Sequence, residues 1–209
     1  MIQFTLFGIP VRVELWFWVT TALIGGALNA TNQEDMLRTA MFMLAAFVSV
    51  LVHEMGHALT IKKFKLPTNV VLTFMGGYAT HPPGVLTRRR SFFVTLAGPA
   101  VQFTFGIAVL YLKNYLPVQG MQIDSFFAGL IWISLAWAIF NCLPIYPMDG
   151  GQMLAAVLGP RRATALHITG IVTSAAIAIL ALKFGLYFIA VFMCIFAYQN
   201  YQSYKQVSR

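Results

Sequence analysis

From Phe92 to Leu112 the chain carries no charged residue, and the same holds from Ser125 to Leu143. A helical stretch of about 20 apolar residues matches the hydrocarbon thickness of a bilayer. Inside that layer every backbone N–H and C=O must find a partner within the protein, which restricts what such runs can become. Composition agrees, with 59% hydrophobic and 10% charged residues, where a soluble chain carries about 25% charged. The 209 residues therefore read as an integral membrane protein with little room for a separate soluble domain.

Six spans are expected, at about 13–28, 36–61, 92–112, 125–143, 163–182 and 185–198. The first is short and begins near Trp16, Phe17 and Trp18, residues suited to the membrane interface. It lacks the basic leader and small-residue cleavage site of a secretory signal, so it is expected to be retained. This arrangement puts Arg12, Lys62, Lys63, Lys65, Arg88, Arg89, Arg90, Arg161, Arg162, Lys205 and Arg209 on one side, eleven of the fourteen basic side chains. Arg38, Lys113 and Lys183 fall on the other. The positive-inside rule makes the first side cytoplasmic, with both termini on it. The net charge of +8 thus reports topology, and nucleic acid is not an expected partner. Cys142 and Cys194 lie in separate apolar segments and are expected to be free thiols. Between the second and third spans, Asn69–His81 is rich in β-branched and aromatic residues and holds Gly76-Gly77. It reads as one or two short strands with a bend, a mobile loop being the other option.

The second span ends in "VHEMGHAL", Val52 to Leu59. His53 and His57 are four apart, so a helix stacks them on one face about 6 Å apart along its axis. Two neutral imidazoles so placed can share a Zn²⁺ ion. Glu54, rotated by about 100°, suits a general base beside it. A carboxylate inside a span costs about 2.5–3.5 kcal/mol on insertion scales, so function or a partner usually accounts for it. A catalytic zinc needs a third protein ligand and an open position. The cysteines are too dispersed, and His81 and His167 are left out of the set. Asp149, in "NCLPIYPMDGGQ", can turn back toward a metal at the end of the fourth span. It also suits a helix N-cap; beside the histidine helix, the ligand role is preferred.

The pair "HEMGH" and "NCLPIYPMDGG", with "GGYA" (Gly76–Ala79) and "AGPAVQ" (Ala97–Gln102) in that order along the chain, resembles the site-2 protease family of intramembrane zinc metalloproteases. The resemblance covers about residues 45–157. It implies an all-α membrane fold of about six helices, with a short membrane-associated β element between the second and third. It implies one Zn²⁺ per chain on His53, His57 and Asp149, with Glu54 as catalytic base. Asn141 would help hold the substrate or the oxyanion, and Gly76 and Gly77 would lie in the strand that receives the substrate. A single protease domain over 1–209 follows, with a catalytic core of about 36–157 in a prokaryotic cell membrane and the active site toward the cytoplasm. Its partners would be a transmembrane protein substrate, the lipid bilayer and, where activity is controlled, a regulatory membrane protein. Two positions depart from the family pattern: Gln102 stands where asparagine is frequent, and Gln152 where a basic residue is common. A membrane metal transporter and a catalytically inactive metal-binding scaffold are the alternatives. A transporter would show several polar sites along a path, whereas one cluster is visible.

Overall fold

The computed structural model describes residues 1–74, 76–116 and 120–208. Met75, inside the expected strand segment, and Arg209, among the basic residues counted above, lie outside the described residues. The chain is mostly helical. In order it forms β1 (Ile2–Leu6), β2 (Ile9–Val13), α1 (Leu15–Ile24), α2 (Gln33–Lys63), β3 (Val70–Thr73), β4 (Gly76–Ala79), α3 (Arg88–Lys113), α4 (Met121–Asn141), α5 (Asp149–Leu158), α6 (Ala163–Lys183) and α7 (Tyr187–Val207).

Among the described residues, four helical segments are long and apolar enough to cross a membrane: Gln33–Lys63, Arg88–Lys113, Met121–Asn141 and Pro160–Lys183. The expected first span is divided. Val13 ends a strand, and α1 has only 10 residues, about 15 Å where the hydrocarbon core is about 30 Å. The sequence signal for those strands is alternation. Ile9, Val11 and Val13 are buried while Pro10 and Arg12 are exposed, the period of a half-buried strand. Phe7 and Gly8, with φ of 50° and 69°, form the two-residue turn whose twist suits a hairpin.

The β element is correspondingly larger than expected. Its strands run in the order β1-β2-β3-β4. β2 pairs parallel to β3, with Val11 opposite Val70 and Val13 opposite Leu72; α1 and α2 form the crossover that parallel pairing requires. β3 turns back antiparallel onto β4, with Thr73 opposite Gly76, so β4 ends the described sheet.

The chain divides into two compact units. The first holds Met1–Val85 and Ala97–Ile139. Its core packs Ile9, Val11, Val13, Val70 and Leu72 of the sheet with Phe17, Val50, Met55 and Ala58. A second cluster joins Ala45, Val109 and Leu130 of α2, α3 and α4. The helix α2 starts on Asn32, whose side chain accepts from the Asp35 N–H at 2.9 Å, and ends with Lys62 and Lys63 in its last turn, matching charge to the helix dipole at both ends. The second unit holds Leu86–Leu96 and Phe140–Arg209. Its core is Ile145, Met148, Ala178, Met193 and Phe196. Both cysteines are free.

Candidate metal centre

In the first unit, α2 carries His53, Glu54 and His57, exposed to only 4%, 4% and 8%. The two imidazoles meet edge to face, with ring centroids 4.8 Å apart, and their Nε2 atoms are 3.1 Å apart. Two nitrogens on one tetrahedral zinc, each at about 2.0–2.1 Å, lie about 3.3 Å apart. The pair therefore fits such an ion, and the fit extends to the protons. Gln102, fully buried on α3, donates through Nε2 to Ser49 Oγ at 2.9 Å. That orients its Oε1 toward His53 Nδ1 at 2.8 Å. His53 then donates from Nδ1, and the lone pair of Nε2 is directed at the position facing His57. Ser49 Oγ shares a further hydrogen bond with Ser134 Oγ of α4 at 2.9 Å. Three helices thus hold one ring by a chain of buried polar groups, an arrangement that fixes tautomer and orientation in metal-binding histidines.

Glycine makes the space for this. A Cβ on Gly56 would lie 2.6 Å from the Ala97 carbonyl oxygen, and one on Gly98 would overlap the His57 imidazole. The Ala97-Gly98-Pro99 stretch therefore lets α3 pass against α2 at the level of the histidines. On the sheet side, a Cβ on Gly77 would lie 2.6 Å from Glu54 Cγ. Gly77 brings the β4 backbone against the carboxylate side chain. Gly76 has φ of 111°, a conformation open to glycine, and faces Trp137, whose Cζ2 would be 3.4 Å from an added Cβ.

Asn141 and Asp149 belong to the second unit and bracket its loop. Asn141 is the last residue of α4, half-buried, and Asp149 is buried in the first turn of α5. The Asp149 side chain is not an N-cap: Met148 holds that position. Gly150 and Gly151 pack directly on the loop, for a Cβ on the first would strike the Cys142 and Leu143 carbonyls and one on the second the backbone at Ile145 and Tyr146. Gln152 turns its Nε2 back to the Pro147 carbonyl at 2.9 Å. At the far end of α5, Arg88 donates from Nε to the Ala156 carbonyl at 2.8 Å and also to the Val157 carbonyl. The basic run expected as a topology anchor thus also caps this helix.

Sequence reasoning undervalued Gln102 and Gln152, both noted only as departures. The signal available for Gln102 was its position in an uncharged span, where a polar side chain needs a partner. His81 is exposed and pairs with its neighbour, Nδ1 to the Pro82 carbonyl at 2.9 Å. His167, also left out of the ligand set, is buried in the second unit with its Nδ1 3.1 Å from Asn200 Oδ1. Thr73 donates to Glu14 Oε2 at 3.0 Å.

The chain is similar to several known proteins. The sequence model of Peptidase family M50 matches residues 117–183, a stretch containing Asn141 and Asp149. Zinc metalloprotease MJ0392 of Methanocaldococcus jannaschii is 27% identical over 209 residues, covering 99% of this chain and 60% of that protein. A putative zinc metalloprotease of Synechocystis, sll0528, is 32% identical over 171 residues, 74% of this chain and 43% of its own length. Stage IV sporulation protein FB of Bacillus subtilis is 26% identical over 148 residues, 70% of this chain and 46% of that protein. Among solved structures, the site-2 protease from Methanocaldococcus jannaschii superposes with a TM-score of 0.64 at 24% identity, covering 100% of this chain and 95% of that one; this likeness concerns the fold. The chain is thus similar in part to Peptidase family M50 and, over most of its length, to proteins named as zinc metalloproteases. It spans 60% and 43% of the lengths of the first two relatives.

Proposed function

We infer that this chain is an intramembrane zinc endopeptidase that cleaves a peptide bond within or near a transmembrane segment of another membrane protein. The observation that carries this reading is the packing of Gly77 against Glu54, one residue from His53 on α2. It sets a strand backbone beside a buried carboxylate and two convergent imidazoles, which suits hydrolysis of an extended peptide better than passage of an ion.

His53, His57 and Asp149 hold the zinc in this reading, one ion per chain. When bound, zinc supplies Lewis acidity that polarises the scissile carbonyl and makes water a better nucleophile. A substrate helix hides its carbonyls in internal hydrogen bonds and must unwind before attack. The unwound segment pairs with β4 by strand addition, guided by Gly76 and Gly77, whose lack of side chains leaves the backbone accessible. The Glu54 carboxylate accepts a proton from the attacking water and delivers it to the leaving amine nitrogen. Asn141 donates from its side-chain amide to the oxygen on which negative charge develops.

The full chain acts as one protease domain in this reading. Its six crossings would be the four long apolar helices, α7, and α1 as a short crossing that the bilayer accommodates by thinning around it. Support comes from charge: this arrangement leaves eleven of fourteen basic residues on one side, which makes both termini and the approach to the site cytoplasmic. Glu54→Gln tests the central assignment. Zinc content measured on the purified protein should stay at one ion, while cleavage of a membrane substrate is lost. Unchanged turnover in this variant would remove Glu54 as base.

A further inference from the structure

We propose that two side-chain amides, Asn200 of α7 and Gln152 of α5, are positioning residues that grip consecutive carbonyls of the loop before Asp149 and so set where its carboxylate sits. The proposal rests on the reading of Asp149 as a zinc ligand.

The loop that leads from Asn141 to Asp149 is short of donors. Pro144 and Pro147 have no N–H, so fewer loop carbonyls can be satisfied from within. Ile145 N bonds the Leu143 carbonyl at 2.7 Å, and Met148 N bonds the Ile145 carbonyl at 2.8 Å. The next two carbonyls are taken by side chains. Asn200 Nδ2 donates to the Tyr146 carbonyl at 2.6 Å, and Gln152 Nε2 donates to the Pro147 carbonyl at 2.9 Å. Asp149 follows two residues later, so the grip acts on the peptide units that aim it.

Asn200 is itself held on every polar atom. It is 1% exposed, its Nδ2 also donates to the Phe196 carbonyl at 2.9 Å, and its Oδ1 accepts from His167 Nδ1 at 3.1 Å. The two carbonyls can only accept, so the NH₂ faces the loop and His167 Nδ1 is the donor to the remaining Oδ1. The His167 ring stands edge-on to Tyr146, centroids 6.1 Å apart. One turn further along α6, Gly170 leaves room for the amide, since a Cβ there would lie 2.5 Å from Asn200 Oδ1. Joining α6 to α7 would need none of this: an apolar side chain of similar volume packs two helices without the desolvation cost of a buried amide. What the amide adds is a donor to a carbonyl of the loop.

The test uses the full chain in detergent, loaded with zinc or with cobalt in its place. Its readouts are the rate of metal release to a chelator and the visible absorption of the cobalt form, which reports ligand geometry. Asn200→Leu keeps the volume and removes the donor; metal release should quicken about tenfold, the lower range for outer partners of metal ligands, with an altered cobalt spectrum. Gln152→Met, at an exposed position, should act in the same direction more weakly, and it decides the matter alone if Asn200→Leu does not fold. Ser174→Ala, buried on α6 and taking part in none of these bonds, should leave both readouts unchanged. Wild-type release and spectrum in the clamp variants, beside a changed Asp149→Asn, would overturn the positioning role. An unchanged Asp149→Asn would instead remove the ligand reading beneath it.

Discussion

His53 and His57 sit on a helix of 31 residues; Asp149 follows an irregular loop with two prolines. The histidines are aimed by helical periodicity, and their surroundings trim that aim through glycines at 56 and 98 and the Gln102 hydrogen bond. The aspartate's place is set by bonds that arrive from elsewhere in its unit, from Asn200 on α7 and Gln152 on α5. A regular element carries its geometry locally, whereas a donor-poor loop must borrow it. The first arrangement should therefore tolerate loss of a supporting contact better than the second.

The largest expected effect lies outside this contrast and calibrates it. Glu54→Gln should lower cleavage about 10²–10⁴-fold, the usual worth of a general base, with zinc retained on metal analysis. Next come the glycines. Gly98→Ala pushes against the His57 side chain and Gly150→Ala against the Cys142 and Leu143 carbonyls. Overpacking costs about 1–3 kcal/mol and more where nothing yields, and a ring can shift where a backbone cannot. Thermal unfolding should rank Gly150→Ala as the more damaging; the reverse order would break the contrast.

Gln102→Leu comes third. Losing a partner of a zinc-ligating histidine usually costs about 10–100-fold in affinity; with α2 still aiming His53, the proposed ligand, the loss should fall below about tenfold, read by competition with a chelator. An effect on zinc smaller than that of Asn200→Leu would sharpen the comparison, because the helix still aims His53 without its partner. Arg88→Met is the smallest. It removes a cation from the C-terminal end of α5, worth about 0.3–1 kcal/mol, and should lower the unfolding temperature slightly while leaving the zinc stoichiometry unchanged.

Much of the first unit was legible. The spacing of His53, Glu54 and His57 on an apolar run needs only 3.6 residues per turn to become a site. Gly76-Gly77 among β-branched residues marked a strand, and β4 begins there. The N-terminal hairpin was missed because Ile2–Val13 was read for hydropathy, which the tryptophans that follow dominate, and its two-residue alternation went uncounted. Hydropathy sums over a window, and a strand's two faces cancel within it. His167 and Asn200 were not legible as a pair: they are 33 residues apart on different helices, and no local rule links them.

The sequence by itself determined the solvent this protein lives in, the helix that bears the histidine pair, and the chemistry those side chains can support. These follow from composition and short-range periodicity, which act within a few turns of the chain. Only the tertiary structure decided that Gln102 reads the far nitrogen of His53, that Gly77 lays a strand on Glu54, and that Asn200 holds the Tyr146 carbonyl. Each joins residues far apart in the chain through a hydrogen bond or a missing Cβ, and such contacts exist only once distant segments pack to within a few ångströms.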